Sequence, residues 1–152
     1  MTAPVFVEVA DRVFVLRHPV LDVNVTLVPG ESAALLVDTL ATTAQAGELA
    51  AAVTAVTAAP LLVVNTHHHF DHCFGNAAFA DAPVYAHPEA IAQLAGIDPA
   101  DVWREWAPTH PGLDGLRTTD IRMPDRPVVH EATLDLGART AVLCHPGRGH
   151  TA

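Results

Sequence analysis

A short apolar run that leads directly into a histidine cluster constrains this chain more than any other feature of its sequence. The run is LLVV at 61–64, and it follows Pro60. After two polar residues, four histidines and one aspartate fall within the six positions 67–72, in the order HHHFDH. A run this apolar is typical of a buried strand. The cluster is therefore predicted to lie at a strand end, where loops usually carry binding and catalytic residues.

The spacing within the cluster indicates a metal site. His67 and His69 are two apart, so on extended backbone they point to the same side, and His68 between them points away. Asp71 follows at the same spacing as the chain turns, and His72 comes next. Zinc takes imidazole and carboxylate ligands, and a catalytic zinc keeps one position open. We therefore expect His67 and His69 to reach one ion, and His68 to have a packing or surface role.

The remaining pattern predicts an α/β chain in which a sheet packs against helices. Thr42 or Thr43 is suited to cap a helix, and Pro60 ends it. Pro29-Gly30 predicts a turn between two strands, and Leu136-Gly137 predicts another. The predicted strands are 5–9, 12–17, the two arms of 24–39, 61–64, 82–87 and the two arms of 128–145; the predicted helices are 42–58, 74–80 and 88–95.

The segment 96–126 combines a short helical signal with the composition of a loop. Asp98 and Pro99 predict one or two helical turns, and the rest is rich in Pro, Gly and Asp. A loop of this length is usually functional or disordered, so we expect a loop or flap insertion. Trp103 and Trp106 are three apart, which suits either one face of a packed helix or a flap that faces substrate. No repeat or linker interrupts the chain, so a single domain is predicted over 1–152.

Composition excludes several partners. The chain has 152 residues and a net charge of -9, from 17 acidic and 8 basic residues, and no Lys/Arg-rich run. These features argue against nucleic acid and anionic membranes as partners. The first residues lack the pattern of a signal peptide. Cys73 and Cys144 form no CxxC motif, so we expect two free, buried thiols and a cytoplasmic setting.

Three segments resemble the metallo-β-lactamase-fold hydrolases. They are NTHHHFDHCFGN at 65–76, which carries the H-x-H-x-D-H pattern, LLVDT at 35–39 and HPGRGHT at 145–151. The resemblance implies an αββα sandwich, with a mixed sheet and flanking helices. It also implies one or two Zn²⁺ ions. The ligands implied for the first ion are His67, His69 and His150, and those for the second are Asp71 and His72.

The same resemblance implies a reaction. A metal-bound hydroxide would attack an ester, thioester, lactone, lactam or phosphoester of a small-molecule substrate. Asp71 would orient or deprotonate the attacking water, and Asp38 would orient the site. The family continues after its third histidine with a Gly-Asp, whose carboxylate bridges two metals, and much later with a last histidine. The 152 residues contain neither, so we expect an N-terminal portion of the sandwich, incomplete at its C-terminus.

Two other hypotheses follow. The chain could be a truncated, catalytically inactive metal-binding fragment, or a subunit that needs a homo-oligomer or a completing chain. It could also hold a purely structural zinc, but such a site usually has four protein ligands with no open position.

Overall fold

A mixed sheet of seven strands organises the computed structural model, which describes residues 5–151. Two further strands form a separate hairpin, and short 3₁₀ helices span Phe74–Phe79 and Asp114–Thr118. In chain order the main elements are β1 (Val7–Ala10), β2 (Val13–His18), β3 (Val23–Pro29), β4 (Ala34–Val37), α1 (Thr43–Val56), β5 (Leu61–Val64), α2 (Phe70–Cys73), β6 (Val84–Ala86), α3 (Pro88–Leu94), α4 (Pro99–Trp106), β7 (Arg126–Pro127), β8 (Glu131–Asp135) and β9 (Thr140–Cys144).

The strands of the large sheet lie in sequence order, from β1 to β7. Neighbours from β1 to β4 are antiparallel, whereas β4, β5, β6 and β7 run parallel to one another. Parallel strands end at the same edge of a sheet, and ligands usually bind beyond that edge. The residues that follow β4, β5 and β6 are therefore brought together, and Asp38, Asn65 and His87 are the first of them.

The two faces of the sheet are covered by different elements. Leu36 and Val63 point to one face, where Leu49 and Val53 of α1 pack against them. The opposite face carries alternate residues of the same strands. The β8–β9 hairpin covers part of that face, and its contact residues are Leu35, Val37, Leu62, Val64 and Tyr85 on the sheet and Leu134, Leu136, Ala141 and Leu143 on the hairpin.

The predicted α/β class is confirmed. Thr42 caps α1 by accepting a hydrogen bond from the Gln45 backbone N–H at 3.2 Å. Neither α2 nor the two-residue strand β7 was predicted, because each is too short to show a hydrophobic period. Both cysteines are free, but only Cys73 is buried; Cys144 is exposed, so the prediction of two buried thiols is wrong.

The segment 96–126 is packed against the core. It contains α4, whose first turn is capped by Asp98, and the second 3₁₀ helix. Leu113 and Leu116 are completely buried in a cluster with Phe70 and Phe74, and Trp103 and Trp106 pack against that cluster. None of the helices in residues 5–151 has the length and apolar character needed to cross a membrane.

Candidate metal centre

Three imidazoles converge beyond the carboxyl end of β5. The ligand nitrogens of His67, His69 and His150 all lie within 4.8 Å of one another. His67 is the central ring, at a centroid distance of 4.7 Å from both His69 and His150. Two of these residues come from the loop after β5, and the third comes from the segment after β9. The structure thus brings together side chains that the sequence separates widely.

His72 and Asp71 lie beside this cluster. The His72 ring centroid is 4.1 Å from that of His67, and His72 Nε2 is 3.6 Å from Asp71 Oδ2. His72 is absent from the group whose nitrogens lie within 4.8 Å. The five predicted ligands therefore form a set of three imidazoles and an adjoining carboxylate–imidazole pair.

The Asp38 carboxylate anchors the histidine-bearing loop through hydrogen bonds. It follows β4 directly, is 2% exposed, and has a φ of 68°, a left-handed conformation that Asp tolerates better than most residues. Its Oδ1 accepts from the Thr66 backbone N–H at 2.8 Å. Its Oδ2 accepts from the Thr66 hydroxyl at 2.8 Å and lies 2.7 Å from His72 Nδ1. One buried carboxylate thus bonds both to Thr66, just before the histidine run, and to His72, its last residue.

These bonds determine which nitrogen of each ring is free. A carboxylate can only accept, so His72 Nδ1 carries a proton, and in the neutral ring Nε2 keeps its lone pair. The single hydroxyl proton of Thr66 goes to Asp38, so the Thr66 oxygen accepts from His67 Nδ1 at 2.9 Å. His67 therefore also presents a free Nε2. Such hydrogen bonds to the remote nitrogen are how metal-binding histidines are usually oriented.

The cluster favours neutral imidazoles. Burial, reinforced by the neighbouring rings of His72, His69 and His150, lowers the pKa of His67 to about 3. Burial and neighbouring histidines also lower the pKa of His68, and burial lowers that of His69 although Asp71 opposes it. A neutral imidazole is the form that binds a metal.

His72 behaves differently. Burial lowers its pKa, but the hydrogen bond to Asp38 and the negative charges of Asp38 and Asp71 outweigh that effect, so the net shift is upward. His72, next to Asp71, is therefore protonated more readily than His67 and His69, whose pKa values are lowered.

Two buried asparagine side chains hydrogen-bond to each other next to the histidine-bearing loop. Asn76 and Asn65 exchange hydrogen bonds of 2.8 and 3.0 Å, and Asn76 Oδ1 also accepts from the Thr39 hydroxyl at 2.9 Å. Gly75 lies against the Thr39 carbonyl, and a Cβ built on Gly75 would be only 1.9 Å from that oxygen. The helical turn after the histidines can approach the strand ends this closely only because residue 75 is glycine.

The segment that carries His150 is held by α3. The His145 ring stacks on the His87 ring at a centroid distance of 4.0 Å, and the His87 side chain caps α3. Arg148 Nη2 donates to Glu89 Oε2 at 2.6 Å. His150 thus reaches the other two imidazoles with support from a neighbouring helix.

Sequence reasoning missed three parts of this arrangement. Thr66 was not singled out, although a hydroxyl residue just before the first histidine is a local signal that could have been used. The stacking of His87 on His145 was not expected, because it depends on a contact between distant segments. His68 has its Nδ1 buried without a hydrogen-bond partner among the described residues, which no pattern in the sequence indicates.

Comparisons with known proteins agree with this fold. The sequence matches the metallo-beta-lactamase superfamily over residues 18–152. The fold is similar to that of a metallo-beta-lactamase from Pontibacter korlensis, with a TM-score of 0.67 and 20% identity, over 98% of this chain and 63% of that one. No curated protein matches the chain.

Two further solved structures have a similar fold. A metallo beta lactamase from Hirschia baltica gives a TM-score of 0.57 at 15% identity, over 88% of this chain and 57% of that one. One from Erythrobacter litoralis, solved with β-mercaptoethanol in its active site, gives 0.54 at 27% identity, over 62% of this chain and 46% of that one. The chain thus spans less than two thirds of the length of each of these proteins.

The fold and the cluster define an α/β protein with a histidine-rich site at the carboxyl edge of its parallel strands. The chain belongs to the metallo-beta-lactamase superfamily. The resemblance found in the sequence is confirmed, as is the mixed sheet with flanking helices.

Proposed function

We propose that this chain carries the metal site of a zinc-dependent hydrolase that acts on a small-molecule substrate. The observation that carries the proposal is the convergence of His67, His69 and His150 within 4.8 Å. The substrate classes that the family resemblance implies are esters, thioesters, lactones, lactams and phosphoesters.

The residues fit a zinc ion. Nitrogen donors are among the preferred ligands of zinc, and three protein ligands leave a fourth position for water or substrate. The low pKa of His67 keeps its ring in the neutral form at neutral pH. When bound, a zinc ion supplies Lewis acidity, which lowers the pKa of water and polarises a carbonyl or phosphoryl oxygen.

The residues around the three imidazoles have separable tasks. Asp38 and Thr66 hold His72 and His67 in the tautomers that leave Nε2 free. Asp71 is proposed to orient the attacking water and take up its proton, as a general base would. Its carboxylate lies next to His72 Nε2 at 3.6 Å, so Asp71 and His72 together could also hold a second ion.

Metal binding is the first test. Protein stripped with a chelator is titrated with zinc by calorimetry, and bound zinc is counted by elemental analysis. We expect at least one zinc per chain, and a loss of affinity of about 100-fold or more in His69→Ala, because outer partners alone are worth about 10–100-fold. His110→Ala removes a histidine outside the cluster and should bind zinc like the unmodified protein. A His69→Ala protein with unchanged affinity would contradict the proposal.

Turnover is the second test. Asp71→Asn should lower turnover of a reactive ester, thioester or lactone by about 100-fold or more, as expected when a general base is lost, while the three imidazoles still bind zinc. A structural zinc site would give a different result, because Asp71→Asn would leave folding and metal content unchanged and no turnover would exist to lose.

A second candidate is supported by one surface. Val5, Val7 and Val9 are 70%, 61% and 61% exposed, and the last two lie on β1 at the edge of the sheet. Exposed apolar residues in such a row are typical of a contact with another chain. The alternative is therefore an inactive metal-binding subunit that needs a second copy or a completing chain. Sedimentation of the zinc-loaded protein tests it, since a cooperatively folded monomer would rule out that requirement.

A further inference from the structure

A polar pocket adjoins the three imidazoles. Its volume is about 420 Å³, and its lining consists of His68, His69, Gln93, Arg148, Gly149, His150 and Thr151. None of these lining residues carries a carboxylate, although the chain as a whole has 17 acidic and 8 basic residues. Arg148 is the only arginine or lysine among these lining residues. The lining thus contains a cationic side chain and no acidic one, and Glu89 pairs with that cation from outside the lining.

The guanidinium is held at the pocket and is only partly used. Arg148 Nη2 donates to Glu89 Oε2 at 2.6 Å, which accounts for one of the five N–H donors of an arginine. The Arg148 side chain is 73% exposed, so its other donors are accessible. Glu89 and Gln93 are four residues apart on α3 and share one face of that helix. The Gln93 carboxamide therefore lies on the same side of α3 as the ion pair that anchors Arg148.

We propose that this pocket binds an oxyanion, a carboxylate or a phosphate, of the substrate whose reacting bond lies at the imidazole cluster. The planar fork of arginine matches both groups. Gln93 adds an uncharged amide donor, and the Thr151 hydroxyl adds another. The inference rests on the proposed function and narrows its substrate class to small molecules that carry a negative charge beside the hydrolysed bond.

Glu89 limits the strength of the site. Its carboxylate competes with the ligand for the guanidinium, so a free oxyanion should bind weakly, in the millimolar range. Selectivity for charged over neutral substrates is then the expected use of the pocket, because an accurate charge match distinguishes partners more than it adds affinity.

The first experiment needs neither metal nor turnover. The chelator-treated protein at pH 8 is titrated with inorganic phosphate, and separately with acetate, and backbone amide shifts of 148–151 are followed by NMR. We expect saturable shifts for at least one anion, with about tenfold weaker binding in Arg148→Gln. Arg17→Gln is the matched control, because Arg17 is also an exposed arginine paired with a carboxylate, that of Asp22; it should bind like the unmodified protein.

Comparison of the two anions tells whether the substrate group bound in the pocket is a phosphate or a carboxylate. Tighter binding of phosphate assigns the pocket to phosphate-bearing substrates, and equal or tighter binding of acetate assigns it to carboxylates. The proposal is overturned if neither anion gives a saturable shift, or if Arg148→Gln binds both anions like the unmodified protein.

A second experiment separates this inference from the proposed function. The zinc-loaded protein is assayed with two esters that are identical except that one carries a carboxylate where the other carries a neutral primary carboxamide. Arg148→Gln should raise KM about tenfold for the charged ester, leave kcat unchanged, and leave the neutral ester unaffected. If both esters are hydrolysed and KM does not respond to Arg148→Gln, the pocket proposal fails while the hydrolase stands. If neither ester is hydrolysed, the proposed function loses its support, and the anion titration still decides the pocket.

Discussion

Asp38 Oδ2 lies 2.7 Å from His72 Nδ1, and the same oxygen accepts from the Thr66 hydroxyl at 2.8 Å. A single buried carboxylate therefore controls the orientation of two rings, one directly and one through a hydroxyl. Its position follows from the parallel pairing of β4 with β5, whose carboxyl ends are adjacent.

Asp38→Asn tests that control. The substitution removes the negative charge but keeps the size, so only Asp71 still offsets the burial of His72, and the pKa of His72 in the metal-free protein should fall. Zinc affinity should fall by about 10–100-fold, the usual cost of losing such a partner. An NMR pH titration and zinc calorimetry measure the two effects. Asp81→Asn, at an exposed acidic residue, should change neither, and an unchanged His72 pKa in Asp38→Asn would refute the assignment.

Thr66 offers a sharper pair of variants. Thr66→Val keeps the shape but removes the hydroxyl that links His67 to Asp38, whereas Thr66→Ser retains it. The backbone N–H of residue 66 can still donate to Asp38 in both variants. We expect zinc binding about tenfold weaker in Thr66→Val and little changed in Thr66→Ser. Equal affinities in the two variants would show that the hydroxyl has no role in orienting His67.

The low pKa of His67 predicts how the metal-free protein responds to acid. The folded pKa is about 3 and the ordinary value is 6.5, so between these values the unfolded chain binds the additional proton. The free energy of unfolding therefore rises with pH across that window and is lost as pH falls below 6.5. Urea unfolding at pH 5 and pH 7 measures it. His67→Gln should lose less stability between these pH values than the unmodified protein.

Two glycines make a matched pair. A Cβ at Gly75 would meet the Thr39 carbonyl oxygen at 1.9 Å, whereas a Cβ at Gly47, in α1, would meet nothing within 4 Å. Gly75→Ala should destabilise the protein by about 1–3 kcal/mol or more, since overpacking forces the backbone apart. Gly47→Ala should stabilise it by about 0.5–1 kcal/mol, the usual gain from replacing glycine within a helix. Urea unfolding at neutral pH provides both values.

Much of the fold could be predicted from the sequence because its signals are local. The apolar run at 61–64, the cap at Thr42 and the turn at Gly137 depend on neighbours within a few residues. The alternation of His67 and His69 is equally local. By contrast, the pairing of β4 with β5, which places Asp38 under the cluster, depends on how distant strands associate.

The candidate site was predicted less completely. His150 was assigned through the family resemblance, and its approach to His67 requires the β8–β9 hairpin to pack on the sheet. That packing rests on contacts such as Leu35 with Leu134 and Leu136, which no short motif encodes. The expected loop at 96–126 contains buried leucines at 113 and 116, because isolated apolar residues among prolines and glycines give no period to detect.

The origin of the three imidazoles has a thermodynamic consequence. His67 and His69 belong to the loop after β5, and His150 follows β9, so an ion bound by all three cross-links the hairpin layer to the sheet. Its binding free energy then adds to the free energy that keeps the two layers together. The midpoint of thermal unfolding should consequently rise with zinc concentration, as ligand linkage requires, and the hairpin should be the part of the protein whose amide exchange slows most.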